Sequence, residues 1–176
     1  MIEELWRRCI EFHGHACGGL AIGYRACEVA CDILGIDLER IEDEDLVCVT
    51  ENDSCGIDAI QCLLSCTLGK GNMIMRMRGK PAYSFFDRRT SRSIRLVAAK
   101  FDRSMDKEKL INMILNDPAE KVFRICEPKF DVPEKARMFA SVICEGCGEP
   151  VREDLARLQN GRILCHDCFT EYKDRW

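Results

Sequence analysis

Two histidines and a cysteine, His13, His15 and Cys17, fall within five positions of the stretch FHGHACGGL, and the chain has only 3 histidines in all. Imidazole and thiolate are the ligands of zinc and related late transition ions. Alternate residues of a turn can face one side, so these three side chains can share a cation, with Gly14 permitting the tight backbone. Cys17 stands where a helix is expected to begin, and the helix macrodipole there favours a thiolate. Cys55 has the same setting: it follows an expected strand, sits beside the capping residues Asn52, Asp53 and Ser54, and opens a helix. Asp58 follows at i+3 on the same helix face. Spacing alone leaves two readings open. Either His13, His15, Cys17 and Cys55 supply a metal site, or the histidines hydrogen-bond and the cysteines pack as core. In the metal reading, sulfur with imidazole selects zinc or another late transition metal, with one position left for water or a small-molecule ligand. Cys17 and Cys55 are then expected ligands together with at least one histidine. His15 is preferred because it lies nearer the cysteine, leaving His13 to orient it or move protons. His13 and Asp58 are the candidate catalytic proton carriers.

A second constellation lies near the C-terminus. Cys144-x-x-Cys147 and Cys165-x-x-Cys168 are separated by 17 residues. Each C-x-x-C turn aims two sulfurs at one point, and two such turns complete the tetrahedron of a structural zinc site. Such a site is closed and offers no position for substrate, so the tail is expected to dock a protein partner and to perform no chemistry itself. So small a module lacks an adequate core, and zinc is expected to supply most of its folding energy. His166 reads as a surface residue.

The elements that must position these residues follow from periodicity. Helices are expected at about 2–12 and 19–34, the second with Leu20, Tyr24, Cys27, Cys31 and Leu34 on one stripe and Gly35 at its end. After an acidic connection come the strand LVCVTE and a helix through IDAIQCLLSCTLG. NMIMRMR then alternates, placing Met73, Met75 and Met77 on one side. YSFFD and SIRLVAA read as further strands, and helices are expected at about 106–116 and 118–126. Pro128 and Pro133 bracket the linker candidate EPKFDVP. In the tail, LARLQNGRIL reads as a hairpin with Asn160-Gly161 at its tip, and HDCFTEYKDRW as a closing helix. The expected fold class is α+β, with helices packed on a small, mostly antiparallel sheet, followed by a treble-clef or ribbon-like zinc module. The expected domains are a head at 1–130 and a four-cysteine module at 131–176.

Composition narrows the function classes. The 176 residues are 47% hydrophobic and 32% charged with net charge −4, which gives no general attraction to nucleic acid or anionic membranes. No apolar run reaches the roughly 18 residues a membrane span needs. Glu3, Glu4, Arg7 and Arg8 occupy the place of a signal peptide's apolar stretch, so a cytoplasmic protein is expected. The 13 cysteines then read as metal ligands plus buried thiols. Cys27 and Cys31 fall to the core on this reading, while Cys62, at i+7 from Cys55, returns to the face of the head site. Residues 70–103 carry ten Lys or Arg against Asp87 and Asp102, and residues 37–58 carry nine acids against Arg40. Solvated faces, complementary across a dimer, are the favoured reading over an anion site. With few interleaved aromatics, nucleic acid is not expected as a partner.

The run Phe12-His13-Gly14-His15-Ala16-Cys17, with Gly19-Leu20 and Gly23-Tyr24-Arg25 after it, resembles the signature of the formylmethanofuran dehydrogenase E-subunit family. Cys55-Gly56-Ile57-Asp58-Ala59-Ile60-Gln61 resembles that family's second motif, and the four-cysteine tail resembles the zinc module of many members. Gly18 departs from the family, which usually has Pro there. The resemblance implies an α+β head, a homodimer and a metal held near the His and Cys of these motifs. It also implies an accessory role in molybdenum or tungsten-type redox metabolism, in which other subunits carry the redox cofactors. Two rival functions stand beside this one. One is a zinc-dependent adaptor or transcription accessory that binds nucleic acid or a protein. The other is a thiol redox enzyme using Cys17 and Cys55.

Overall fold

Helix α1 (Ile2–His13) ends where Gly14 takes φ +92° and gives its N–H to the Ile10 carbonyl at 2.7 Å. Helix α2 (Gly18–Leu34) starts from Cys17, whose sulfur accepts the Leu20 N–H at 3.3 Å. It closes at Gly35, left-handed at φ +71°, whose N–H bonds the Cys31 carbonyl. The stripe Leu20, Tyr24, Cys27, Cys31 and Leu34 is buried. Cys27 and Cys31 are thus core residues, and burial pushes both thiols up, Cys31 to about 12.

The computed structural model describes residues 2–37, 44–102 and 104–172, and the chain divides into two compact units, residues 1–136 and 137–176. In the first unit α2 leads through the acidic connection, of which 38–43 lie outside the described residues, to strand β1 (Leu46–Thr50). Helix α3 (Gly56–Leu64), strands β2 (Met73–Met75), β3 (Ala82–Asp87) and β4 (Arg92–Ala98), helices α4 (Lys107–Asn116) and α5 (Ala119–Val122), and strand β5 (Phe123–Cys126) follow. They form a five-stranded sheet in the order β2-β1-β3-β4-β5, parallel only between β1 and β2. The main core joins Cys27, Val29, Leu34, Ile60 and Leu64 of the helices to Cys48, Phe85, Ile94 and Leu96 of the sheet. Val47, Val49 and Phe86 face the other way and are packed by Ile74 and Phe130. Arg95 and Glu51, both buried, pair at 2.7 Å, and the guanidinium holds the Glu51 carboxyl below its usual range.

Several elements differ from the periodicity reading, each for a tertiary reason. Helix α3 stops at Leu64, with Ser65 left-handed, instead of running to residue 69. Buried Asn72 takes over the backbone there, donating to the Leu46 and Ser65 carbonyls and accepting the Thr67 N–H. The methionine alternation holds for one residue: Met73 is buried, but Met75 and Met77 are exposed at the sheet edge. The helix expected over 118–126 shrinks to α5, because Phe123–Cys126 pairs antiparallel with β4, Leu96 opposite Ile125. The boundary falls between Ala136 and Arg137, not at 130/131. Phe130 packs on Phe86 and under the Arg76 guanidinium, and the Pro133 carbonyl accepts from Arg88, so the expected linker belongs to the first unit.

The second unit has two short hairpins, β6 (Ser141–Ile143) with β7 (Pro150–Arg152) and β8 (Arg157–Gln159) with β9 (Arg162–Leu164). Asn160 and Gly161 turn the second hairpin with positive φ, as a two-residue tip requires. No helix forms over residues 165–172, where the sequence predicts a closing one. The Gln159 amide fixes that segment instead, bonding both the N–H and the carbonyl of Thr170.

Candidate metal centres

Helices α2 and α3 meet backbone to backbone. A Cβ on Gly23 would lie 2.0 Å from the Gly56 carbonyl oxygen, and one on Gly56 would lie 2.3 Å from the hydroxyl of buried Tyr83. Only glycine fits either position. Cys17 and Cys55 each precede one of these helices, so the close approach brings the two sulfurs together on either side of Gly19. A Cβ there would stand 3.6 Å from the Cys55 sulfur and 3.9 Å from that of Cys17. The last residue of α1 completes the group: a ligand atom each from His13, Cys17 and Cys55 lies within 4.8 Å of the other two.

His13 Nε2 is 3.9 Å from the Cys17 sulfur, while its Nδ1 is 2.7 Å from Asp58 Oδ2. Asp58 Oδ1 accepts from Gln61 Nε2 at 3.3 Å. With its Nδ1 proton given to the carboxylate, His13 presents an Nε2 lone pair to the two sulfurs. This is the carboxylate–histidine arrangement that orients metal ligands. A tetrahedral zinc would set sulfur and nitrogen about 3.6 Å apart and two sulfurs about 3.8 Å apart, so the donors fit such an ion with small adjustments. Burial, and then the neighbouring Cys17 thiol, push the Cys55 thiol up. A cation between the sulfurs would reverse that effect.

His13, and not His15, is the histidine at the sulfurs. The left-handed Gly14 redirects the chain, leaving the exposed His15 ring against the His13 ring with centroids 4.6 Å apart. Cys62 also stays outside the group and packs with Cys9, Leu20 and Tyr24. Burial and the Cys62 thiol push Cys9 up to about 12. The sequence reading missed the structural roles of Gly23, Gly56, Tyr83 and Gln61. A signal existed for the first: Gly19 and Gly23 at i, i+4 mark a helix face that a neighbour can approach closely.

In the tail, one sulfur each from Cys144, Cys147, Cys165 and Cys168 lies within 4.8 Å of the others. The Cys147–Cys165 separation of 3.9 Å nearly equals the edge expected around zinc. The N–H groups of Cys165 and Gly146 point at the Cys144 sulfur at 3.2 and 3.4 Å, pulling that thiol down to about 6. Hydrogen bonding to the Cys165 and Cys144 sulfurs pushes Cys168 up to about 12. A Cβ on Gly146 would stand 2.7 Å from the Cys168 sulfur, so the first turn excludes any side chain at that position. His166 is not in the group.

The basic residues of 70–103 are largely engaged inside their own unit. Arg95 pairs with Glu51, Arg89 with Asp45 and Asp87, and Arg92 caps the Ile33 and Leu34 carbonyls. Arg88 holds the Pro133 carbonyl and Arg76 covers Phe130.

The comparisons with known proteins address the same residues. The model of the family described as FmdE, molybdenum formylmethanofuran dehydrogenase operon, matches residues 12–125, well over half of the chain. The chain belongs to the FmdE family. His13, Cys17, Cys55 and Asp58 all lie inside the matched segment. Beyond it, the prokaryotic dksA/traR C4-type zinc finger model matches residues 137–174, so this FmdE-family protein carries a C-terminal zinc finger. A curated Archaeoglobus fulgidus protein described as a probable S-adenosyl-L-methionine-binding protein is 26% identical over 201 positions, covering 97% of this chain and 54% of the relative. The chain thus spans about half the length of that relative. The crystal structure of a tungsten formylmethanofuran dehydrogenase FmdE-like protein from Syntrophus aciditrophicus superposes with a TM-score of 0.69 at 21% identity. It covers 95% of this chain and 91% of the other. At that identity the likeness concerns the fold. The FmdE-like α+β head with a cysteine zinc finger is the expected fold class. No helix among the described residues is long and apolar enough to cross a membrane.

Proposed function

We propose that this FmdE-family protein binds a zinc-class metal ion at His13, Cys17 and Cys55, with a fourth position left for a small-molecule ligand. The observation that carries this reading is the convergence of three donors from the end of α1 and the starts of α2 and α3, with Asp58 bracing the histidine. Two sulfurs and one imidazole form a ligand set of open catalytic zinc sites, unlike the closed four-thiolate set of the tail. When bound, the ion would polarise its ligand or make a bound water more acidic. Asp58 holds the His13 tautomer, Gln61 holds Asp58, and Gly19 keeps side chains away from the sulfurs. His15, exposed beside His13, is available for proton transfer to solvent. The finger holds a second, structural zinc and docks a protein partner, and the head pairs as a homodimer. The names of the matched family and of the superposed Syntrophus protein support a place in molybdenum or tungsten-type redox metabolism.

The nearness of the Cys17 and Cys55 sulfurs also favours a second reading, a reversible disulfide. Metal content decides between them. Wild type is expected to carry two metal equivalents and Cys55→Ser one, retained in the finger. One equivalent in both proteins, with a Cys17–Cys55 disulfide in oxidised wild type, would overturn the metal reading.

A further inference from the structure

Gly18 and Gly19 lie between the Cys17–Cys55 sulfur pair and a cleft of about 830 Å³ bounded by the first turn of α2, helix α4 and the segment after β4. Ile22, Pro81, Phe101, Leu110 and Ile114 give it apolar walls. A side chain at position 18 would fill it from below, since a Cβ there stands 3.1 Å from Leu110 Cδ2 and 3.9 Å from Ile114 Cδ1. A Cβ at position 19 would instead stand 3.6 Å from the Cys55 sulfur. The glycine pair is therefore floor to the cleft and wall to the sulfur site, and only backbone separates the two. The size suits a small organic molecule.

Two charged residues line the cleft, Lys100 and Asp102. Asp102 Oδ1 accepts from the Ser104 N–H and hydroxyl at 2.9 and 2.8 Å, which ties this carboxylate into its own turn. Lys100 has no ion-pair or hydrogen-bond partner among the described residues and is the cation left for a ligand. We propose that this cleft seats an organic carboxylate with a ring-sized apolar body. The carboxylate meets Lys100, the body lies against Ile22, Phe101 and Leu110, and the far end stops at Gly19 beside the head metal. The placement beside a metal rests on the site proposed above; the cleft and its anion preference do not.

Phenylacetate is the test probe, added to the full chain loaded with cobalt(II), whose paramagnetism broadens probe protons steeply with proximity. Ring protons farthest from the carboxylate should broaden more than the methylene protons, and Cys55→Ser, with cobalt only in the finger, should abolish the difference. In zinc-loaded protein, methyl resonances of Ile22, Leu110 and Ile114 should shift saturably. Lys100→Ala should weaken phenylacetate about threefold to fivefold and leave 2-phenylethanol unchanged, since an ion pair to an exposed lysine is worth up to about 1 kcal/mol. Ala99→Trp, at an exposed position lining the cleft, should abolish both. Stronger broadening at the methylene, or broadening that survives Cys55→Ser, overturns the orientation. Methyl shifts that are absent, or an affinity indifferent to Lys100→Ala and Ala99→Trp, overturn the cleft. Failure of cobalt to load the head removes the metal reading alone, because the methyl shifts still report on the cleft.

Discussion

In the tail, two C-x-x-C turns each bring a pair of sulfurs together within a few residues, and one hairpin closes the gap between the pairs. In the head, the donors come from the ends of three helices, and Cys55 would be near neither His13 nor Cys17 without the packing of α2 on α3. The surroundings differ as much. Among the described tail residues, Cys144 and Leu164 are the buried apolar ones, so little besides the metal can hold that unit together. The head buries a two-sided sheet and a helical layer, and its three donors sit at the ends of helices that pack on this core. A metal that folds a module must be enclosed, whereas a metal lodged on a finished fold can keep a position open.

The largest effect that could break this contrast is expected in the tail. Cys147→Ser should cost one zinc equivalent and reduce amide protection over residues 137–172 to background, while the far-UV spectrum and thermal transition of the head persist. Loss of the head transition, or retention of that zinc, would mean that the two sites are not independent.

A substitution remote from the donors should then damage the head site through packing alone. Gly23→Ala places a Cβ 2.0 Å from the Gly56 carbonyl oxygen and forces α2 away from α3. A loss of about 3 kcal/mol in head stability is expected by denaturant titration, accompanied by weaker head metal binding. Unchanged metal affinity with the stability loss in place would show that the Cys17–Cys55 approach does not depend on that helix contact.

The smallest effect belongs to the residue that only orients a ligand. Asp58→Asn retains the shape but removes the charge that fixes the His13 tautomer, and should lower head metal affinity by about 10- to 100-fold in competition with a chromophoric chelator. The tail zinc should not respond. A full loss of head metal would make Asp58 a ligand in its own right.

The tail was legible because its information is local. Cysteine spacing predicts the four-sulfur group, and Asn160-Gly161 predicts the hairpin tip, since both depend on a few neighbouring dihedrals. The α2 stripe and its Gly35 stop were readable for the same reason. Strand β5 was not, because Phe123–Cys126 is extended only through its pairing with β4, and the chain leaves α3 at Ser65 only because Asn72 returns to bond it there. In the head, the types His, Cys and Cys were sufficient to expect a soft-metal site from the sequence. Which histidine lies at the sulfurs was not legible, because both flank the same turn and chain proximity favoured His15. That choice was made by tertiary structure. The left-handed Gly14 turns His15 outward, Asp58 on α3 captures the Nδ1 of His13, and three glycines let two helices touch so that thiols far apart in the chain face one imidazole. Residue type and spacing determine which atoms can bind a metal; only the packing of helices on one another determines which of them meet.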